Sequence, residues 1–360
     1  MINTLLNTIK IRKQNNRRRP ACLFVVVIFW LIPVSFLQAQ DLHFSQFFNT
    51  PLTTNPANTG FIPDADYRLG IQYRNQFSNI MSVPYTTMSA FWDAQLLRDK
   101  LENGWLGVGA LVLSDKAGGG SLKSTKIYGS VAYHQMLGES SLLSAGFNLG
   151  WANKRIDPNG LKFPDQFDES LGFFDSRVPT TVLLSNTSIN YFDMQVGMNY
   201  AYFPQEDVYI NAGYSIHHVN KPRESFFNDK TSNGSDIIPM RQIAFINAIL
   251  KVHPSVIINP NVYYTRQTKA SELVVGLNMN YNLSGDGEKQ LIAGAYYRGK
   301  DAIIPMLGFE LSNYRFTFSY DATISTLKDF NSSRGALEFS LIKKGFYKDN
   351  QDRQSLCPKF

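Results

Sequence analysis

The chain has 360 residues, of which 44% are hydrophobic and 18% charged, and its formal net charge is +6. Six of its 35 Lys and Arg residues lie within residues 1–39, which contain no acidic residue, so the remaining 29 balance the 29 Asp and Glu residues. The basic excess therefore belongs to the start of the chain, and it does not indicate a nucleic-acid-binding protein.

The start of the chain has the features of an export signal. A basic stretch that ends at Arg19 is followed by an apolar run over 21–37, and the small residue Ala39 stands at the expected cleavage point. We predict cleavage after Ala39, which leaves Gln40 as the first residue of the mature protein. A membrane anchor is the alternative, but the run is close to the minimum that crosses a bilayer and Pro33 interrupts it.

Apolar and polar residues alternate with period two through most of the remaining chain. In the segment 192–202, for example, every second residue is apolar or aromatic, and the residues between them are Asp193, Gln195, Gly197, Asn199 and Ala201. Side chains of a strand point to opposite faces in turn, so each such segment has one apolar and one polar face. We predict about fourteen strands, near 65–75, 84–95, 103–113, 123–136, 140–153, 189–203, 206–217, 239–252, 255–266, 271–282, 288–298, 301–312, 313–323 and 335–343.

Two all-β architectures have this alternation, a soluble antiparallel sandwich and a membrane barrel. Segments of about ten to twelve residues are long for a soluble strand and suit a tilted membrane strand. Aromatic residues such as Trp92 and Tyr314 recur at the ends of the apolar faces, as at the headgroup level of barrels. These features favour the barrel.

The connections between the predicted strands also alternate in length. The long connections 154–188 and 218–238 alternate with tight turns such as 204–205. Outer-membrane barrels have long loops outside and short turns in the periplasm. We therefore predict an all-β fold, a transmembrane antiparallel up-and-down β-barrel of about fourteen strands in the bacterial outer membrane. Because the strand number is even, both chain termini of the barrel should lie in the periplasm.

A series of short motifs runs through the whole predicted mature chain. In order they are Phe44-Ser45-Gln46-Phe47-Phe48, Asn55-Pro56-Ala57 with Gly60, Tyr73-Arg74-Asn75-Gln76-Phe77, Tyr297-Arg298 with Asp301-Ala302, Ser319-Tyr320-Asp321 and Cys357-Pro358-Lys359-Phe360. Together they resemble the PorP/SprF family, outer-membrane proteins of the type IX secretion and gliding apparatus of Bacteroidota. One departure is Phe77, where the family pattern has Trp.

The resemblance implies a non-enzymatic role in moving or anchoring proteins at the cell surface. The partners it implies are the outer-membrane bilayer, periplasmic type IX secretion components or a peptidoglycan-associated protein, and a large secreted adhesin. An outer-membrane porin or a hydrophobic-solute transporter remains the alternative. A porin lumen should carry opposed rows of Arg and acidic residues, whereas the predicted inward positions are mainly Gly, Asn, Ser and Thr. This favours a filled interior.

The predicted domains are a signal peptide (1–39), an N-terminal periplasmic or plug segment (40–64), the barrel (65–343) and a periplasmic tail (344–360). For Asn55-Pro56-Ala57, a plug inside the barrel and an ordinary turn both stay open, since Asn-Pro commonly marks a turn. We expect the tail and residues 40–60 to form a joint periplasmic docking face.

Arg74, Arg298 and Asp301 lie at predicted strand ends toward the lumen or the outer rim. They would either pair and hold a plug or loop, or be solvated in the lumen, and the second reading is the one we favour. The candidate contacts to a plug or a partner are Phe44, Gln46, Asn55, Pro56, Gly60, Arg74, Arg298, Asp301, Phe346, Tyr347 and Phe360.

The sequence contains no catalytic constellation of a known kind, so we expect neither enzymatic activity nor a cofactor. Outside residues 1–39 the only cysteine is Cys357, which excludes an intramolecular disulfide or a cysteine zinc cluster there. Adjacent residues of a strand face opposite sides, so we expect His217 and His218 not to share a metal ion. Asp165 and Asp168 supply too few oxygen ligands for a calcium site.

Overall fold

The computed structural model describes residues 44–347, apart from residues 79, 99, 119–121, 159–160, 170–171, 176, 182–185 and 227–235. The predicted signal peptide, the predicted mature start at Gln40 and the candidate Phe360 lie outside the described residues. Within the described ranges, no helix has the length and apolar character needed to cross a bilayer.

Fourteen strands of the described residues close into one antiparallel barrel, in which neighbouring strands pair in sequence order and the first pairs with the last. The barrel strands are β1 (Tyr67–Gln76), β2 (Tyr85–Leu96), β3 (Gly104–Ala117), β4 (Leu122–Met136), β5 (Ser141–Arg155), β8 (Ser188–Gln205), β9 (Val208–His217), β10 (Arg241–His253), β11 (Val256–Gln267), β12 (Ala270–Asn282), β13 (Lys289–Arg298), β14 (Ala302–Leu311), β15 (Tyr314–Thr323) and β16 (Arg334–Gly345). A small hairpin of β6 (Phe167–Asp168) and β7 (Phe173–Phe174) lies between β5 and β8. The prediction of an up-and-down barrel of about fourteen strands is confirmed. The largest difference in bounds is at the end of β3, predicted at 113 and observed at Ala117.

The barrel turns its apolar face outward. Phe192 and Met198 of β8 are 67% and 58% exposed, whereas Asp193 and Asn199 of the same strand are almost fully buried. A strand with this pattern is stable only where lipid covers the apolar face and the polar face points inward. The alternation therefore fixes the direction of most side chains along the wall, apart from the register shifts near the ends of β8, β10 and β15.

The two ends of the barrel differ in their connections. We call the end with the connections 156–187, 218–240 and 324–333 the long-loop end. The opposite end has tight connections such as 206–207 and 254–255, and we call it the short-turn end. The first strand begins and the last strand ends at the short-turn end, where the backbone N–H of Asp66 donates to the carbonyl of Gly345 at 2.9 Å.

Residues 44–66, which we call the inner segment, run through the barrel interior as a chain of short turns. These are a 3₁₀ turn, Phe47–Asn49, a one-turn α-helix, Pro51–Thr54, and a second 3₁₀ turn, Pro56–Asn58. Each proline opens its turn, where a missing N–H costs no hydrogen bond. The Asn55 side chain caps the second 3₁₀ turn by accepting from the N–H of Ala57 at 2.9 Å.

Candidate functional site

The middle of the inner segment lies directly against glycines of the wall. A Cβ atom at Gly146 would lie 2.4 Å from the carbonyl carbon of Pro56, and one at Gly197 would lie 1.9 Å from Oδ1 of Asn55. The Asn55 amide donates to the backbone carbonyl of Met198 at 2.8 Å. Asn55 and Pro56 are therefore buried in the interior, and the wall is shaped to receive them.

The end of the inner segment is hydrogen-bonded to the wall near the short-turn end. The N–H of Gly60 donates to Asp93 at 2.9 Å, and its carbonyl accepts from the Trp105 indole at 2.9 Å. The imidazole Nε2 of the buried His134 lies 2.8 Å from the carbonyl of Thr59. Buried backbone groups need partners, and here the wall provides them.

The start of the inner segment contacts a buried cluster of four charged side chains. We call Arg74, Arg298, Asp321 and Glu338 the latch cluster; none is more than 4% exposed. Arg74 lies 2.9 Å from Asp321 and 3.0 Å from Glu338, and Arg298 pairs with Asp321. Two cations and two anions balance, as burial of charge requires.

The latch cluster binds the backbone and side chain of Ser45. The N–H of Ser45 donates to Glu338 at 2.9 Å, and its hydroxyl donates to Asp321 at 2.9 Å. The N–H of Gln46 donates to the other carboxylate oxygen of Glu338 at 2.8 Å. Hydrogen bonds to ionised acceptors are stronger than those between neutral groups, so the cluster fixes this part of the inner segment firmly.

The expectation that Arg74 and Arg298 are solvated in the lumen is wrong, because both are buried and paired with acidic side chains. Asp301 differs: its side chain is 50% exposed and lies 3.2 Å from Nε of Arg298, at the rim of the long-loop end. Sequence reasoning missed Asp321 and Glu338 as site residues. The sequence feature that could have identified them is an acidic residue at an inward position of a predicted strand, because most inward residues are small or uncharged.

The other candidates lie in different places. Phe44 packs in an apolar cluster with Leu52 and Phe91, and the Gln46 amide donates to Ser319 at 2.9 Å. At the short-turn end, the N–H of Tyr347 donates to Asp66 at 2.8 Å, and the neighbouring Phe346 is 46% exposed.

The expected joint docking face of the tail and residues 40–60 is therefore not formed by the described part of that range. Residues 44–60 lie inside the barrel, because their polar groups are satisfied by inward-facing side chains. The described start of the tail, residues 344–347, instead meets the end of the inner segment, where Lys344 lies 2.5 Å from Asp64. The rest of the tail lies outside the described residues.

His218 also differs from expectation. It was expected to face away from His217, but both are buried, and Nδ1 of His218 lies 2.8 Å from Asp193. The reason is a backbone φ of 57° at His218, just after the end of β9, which breaks the alternation.

Among the described residues, no group of three His, Cys, Asp or Glu side chains is placed to hold a metal ion. In the long connection after β5, the backbone N–H and hydroxyl of Thr181 and the hydroxyl of Thr180 hold the pKa of Asp165 below its usual range.

Three comparisons relate the chain to known proteins. It matches the family model described as "Type IX secretion system membrane protein PorP/SprF" over residues 36–342. No curated protein matches it. Solved structures that it resembles include the deltaS2 mutant of the TodX monoaromatic hydrocarbon channel, with a TM-score of 0.51 and 11% identity over 83% of this chain and 94% of that one.

Two further structures are the Ralstonia pickettii toluene transporter TbuX, with a TM-score of 0.49 and 10% identity over 83% of this chain and 94% of that one, and a Pseudomonas aeruginosa FadL homologue, with a TM-score of 0.49 and 10% identity over 81% and 93%. At 11% identity, the likeness to the TodX channel variant shows the fold alone. The family match covers most of the chain, and the chain accordingly belongs to the PorP/SprF family of type IX secretion system membrane proteins, as a β-barrel of the bacterial outer membrane.

Proposed function

We propose that this protein is a closed, non-enzymatic scaffold of the type IX secretion machinery whose short-turn end docks periplasmic partners. The observation that carries the proposal is the latch cluster, in which Ser45 and Gln46 of the inner segment are hydrogen-bonded to Asp321 and Glu338. A segment held by buried charges occupies space that a diffusing solute would need. The lumen then serves to hold the inner segment.

The orientation follows from the connections. Outer-membrane barrels have short turns in the periplasm and long loops outside, so Lys344, Phe346 and Tyr347 belong to the periplasmic side. They offer exposed aromatic surface beside charged groups, which suits a protein interface. The partner class is a periplasmic type IX secretion component or a peptidoglycan-associated protein. The long-loop end would be open to a large secreted adhesin.

A porin or hydrophobic-solute transporter is the competing function. The structural neighbours named above include hydrocarbon channels and transporters, but their names describe those proteins, and the likeness is one of fold. A transporter of that kind needs a route past the inner segment, which the latch cluster and the contacts of Asn55 oppose.

Conductance in planar bilayers separates the two. We expect the purified protein to show no stable, large open-channel conductance, whereas a variant with residues 44–60 replaced by a short Gly-Ser linker should conduct. A deletion in the connection 161–175 at the long-loop end is the control, since it leaves the inner segment intact. Large, stable conductance of the unmodified protein would overturn the proposal in favour of a porin.

Docking is tested by co-purification from the envelope. We expect the double substitution Phe346→Ala and Tyr347→Ala to lose periplasmic partners while the barrel still inserts. The matched control is Phe173→Ala with Phe174→Ala, a pair of exposed adjacent aromatic residues at the long-loop end. If both double variants retain the same partners, the short-turn end is not the docking face.

A further inference from the structure

A cavity of about 420 Å³ remains between the inner segment and the wall on the side of β9 to β15. Phe47 and Phe245 line it deep in the barrel, and Lys344 and Phe346 line it at the short-turn end. The inner segment packs closely on the opposite side, against the glycines of β5 and β8. The barrel is therefore filled on one side, and on the other it has a pocket that reaches the short-turn end.

The wall of this cavity carries a row of asparagines. Asn247 of β10 lies directly opposite Asn211 of β9 and Asn261 of β11, so three amides stand at one level across three strands. An amide both donates and accepts hydrogen bonds. The buried Oδ1 atoms of Asn211 and Asn247 have no hydrogen-bond partner in the structure. The row is therefore suited to a ligand that carries N–H groups.

The cationic side chains that line the cavity are already paired with acidic ones, and the carboxylate of the lining residue Asp286 accepts hydrogen bonds from Ser284 and from the N–H of Glu288. Lys344 lies 2.5 Å from Asp64 and 3.6 Å from Glu310, and Arg315 lies 2.6 Å from Glu310. An ionic ligand would have to break these pairs. The lining therefore favours an uncharged occupant with amide groups and some apolar surface.

We propose that the C-terminal tail of this chain enters the cavity, with residues 354–357 against the asparagine row. The chain reaches the cavity at Phe346, which lines it, and Tyr347 is held there by Asp66. The four residues that enter, Gln354, Ser355, Leu356 and Cys357, are uncharged and combine amide, hydroxyl and apolar groups.

The tail is long enough to extend from Tyr347 to the asparagine row, because an extended chain spans about 3.3 Å per residue, or about 33 Å over residues 348–357. The charged residues Lys348, Asp349, Asp352 and Arg353 precede residues 354–357, and Lys359 follows them. The uncharged stretch 354–357 is therefore the part of the tail that can lie against the asparagine row without breaking the ion pairs at the opening. The inference goes beyond the proposed function and does not depend on it, since a tail can enter a cavity in a scaffold or in a transporter.

Cys357 is the natural reporter, because outside residues 1–39 it is the only cysteine of the sequence. We expect oxidation of the Asn247→Cys variant in the folded barrel to form an intramolecular disulfide with Cys357. The matched control is Ile246→Cys, whose side chain is 54% exposed on the outer face of the same strand. Protease treatment should leave the C-terminal fragment joined to the barrel only in the first variant. Equal crosslinking in both, or in neither, would overturn the proposal.

Thiol labelling tests the same claim, first with an unaltered cavity wall and then with a substitution in it. In the otherwise unchanged protein, a bulky maleimide should react with Cys357 at least tenfold more slowly in the folded barrel than after unfolding. Asn278→Trp, which fills the cavity, should remove that protection, whereas Leu277→Trp on the outer face should not. Equally fast labelling of folded and unfolded protein would overturn the proposal. Crosslinking of the Asn247→Cys variant to another polypeptide in cells would do so as well, and would assign the cavity to a partner.

Discussion

Arg74 is the side chain on which most of the latch cluster depends. It contacts Asp321 and Glu338 at 2.9 and 3.0 Å and lies 2.5 Å from the hydroxyl of Ser45. Without it, Asp321 would keep its pair with Arg298, but the buried carboxylate of Glu338 would lose the guanidinium that it contacts. A buried carboxylate that loses its partner is strongly unfavourable, because the remaining groups cannot replace its water.

We therefore expect Arg74→Met to destabilise the barrel by about 3–5 kcal/mol, measured as a lower midpoint of urea unfolding in detergent or liposomes. The control is Arg177→Met. Arg177 pairs with Asp175 in the long connection after β5, and its side chain is 83% exposed, so its loss should leave the midpoint unchanged. Equal shifts would show that the latch cluster adds nothing beyond a surface ion pair.

The two faces of the wall should respond differently to a charge. Phe316→Arg and Val196→Arg place a cation in lipid, at a cost of about 2–4 kcal/mol near the midplane. Asn247→Arg points into the cavity and should be milder, as read from heat modifiability on gels. Equal tolerance on both faces would reject the observed register.

Inward positions that face the inner segment should tolerate a charge less well than Asn247. Ser319 and Asn199 are both buried against the inner segment. The hydroxyl of Ser319 accepts a hydrogen bond from the Gln46 amide, and the Asn199 amide donates one to the side-chain oxygen of Asn58. We therefore expect Ser319→Arg and Asn199→Arg to displace the inner segment. Single-strand alternation shows which way a side chain points, but not what occupies the space in front of it.

At the scale of elements, the strands were predictable and the inner segment was not. Alternation is a local property, so the bounds of β4, β9 and β13 could be predicted to within about two residues. The inner segment has no period, and its partners are far along the chain: Ser45 binds Glu338, which lies 293 positions away. The Asn55-Pro56 motif is compatible with a surface turn and with a turn inside a barrel, so the sequence alone does not distinguish the two.

Close approach of the inner segment to the wall gives a test at this scale. We expect Gly197→Ala to push Asn55 away, because its Cβ would lie 1.9 Å from Oδ1 of Asn55. Protease sensitivity of residues 44–60 and bilayer conductance should both rise. The matched control is Gly129→Ala, also in a barrel strand, where the nearest atom to a Cβ is 4.0 Å away. Similar behaviour of the two variants would contradict the packing described.

At the scale of the whole molecule, the export signal remains a prediction. We expect Edman sequencing of the protein from outer-membrane fractions to begin at or near Gln40. The physical reason is the combination of a basic start, an apolar run over 21–37 and the small residue Ala39. Retention of residues 21–37 in the membrane-inserted protein would favour an anchor instead.

The latch cluster also bears on how the barrel assembles. Arg74 of β1 and Glu338 of β16 are opposite each other in the pairing that closes the barrel, and Ser45 binds the latter. The first residues of the described chain thus acquire their full set of partners only when the last strand arrives. Such distant contacts form late in folding, because the loop between them must first be closed. Until that moment the N–H groups of Ser45 and Gln46 lack their acceptor Glu338, so a barrel halted before its final strand would hold the start of the inner segment less firmly and leave it more open to proteases.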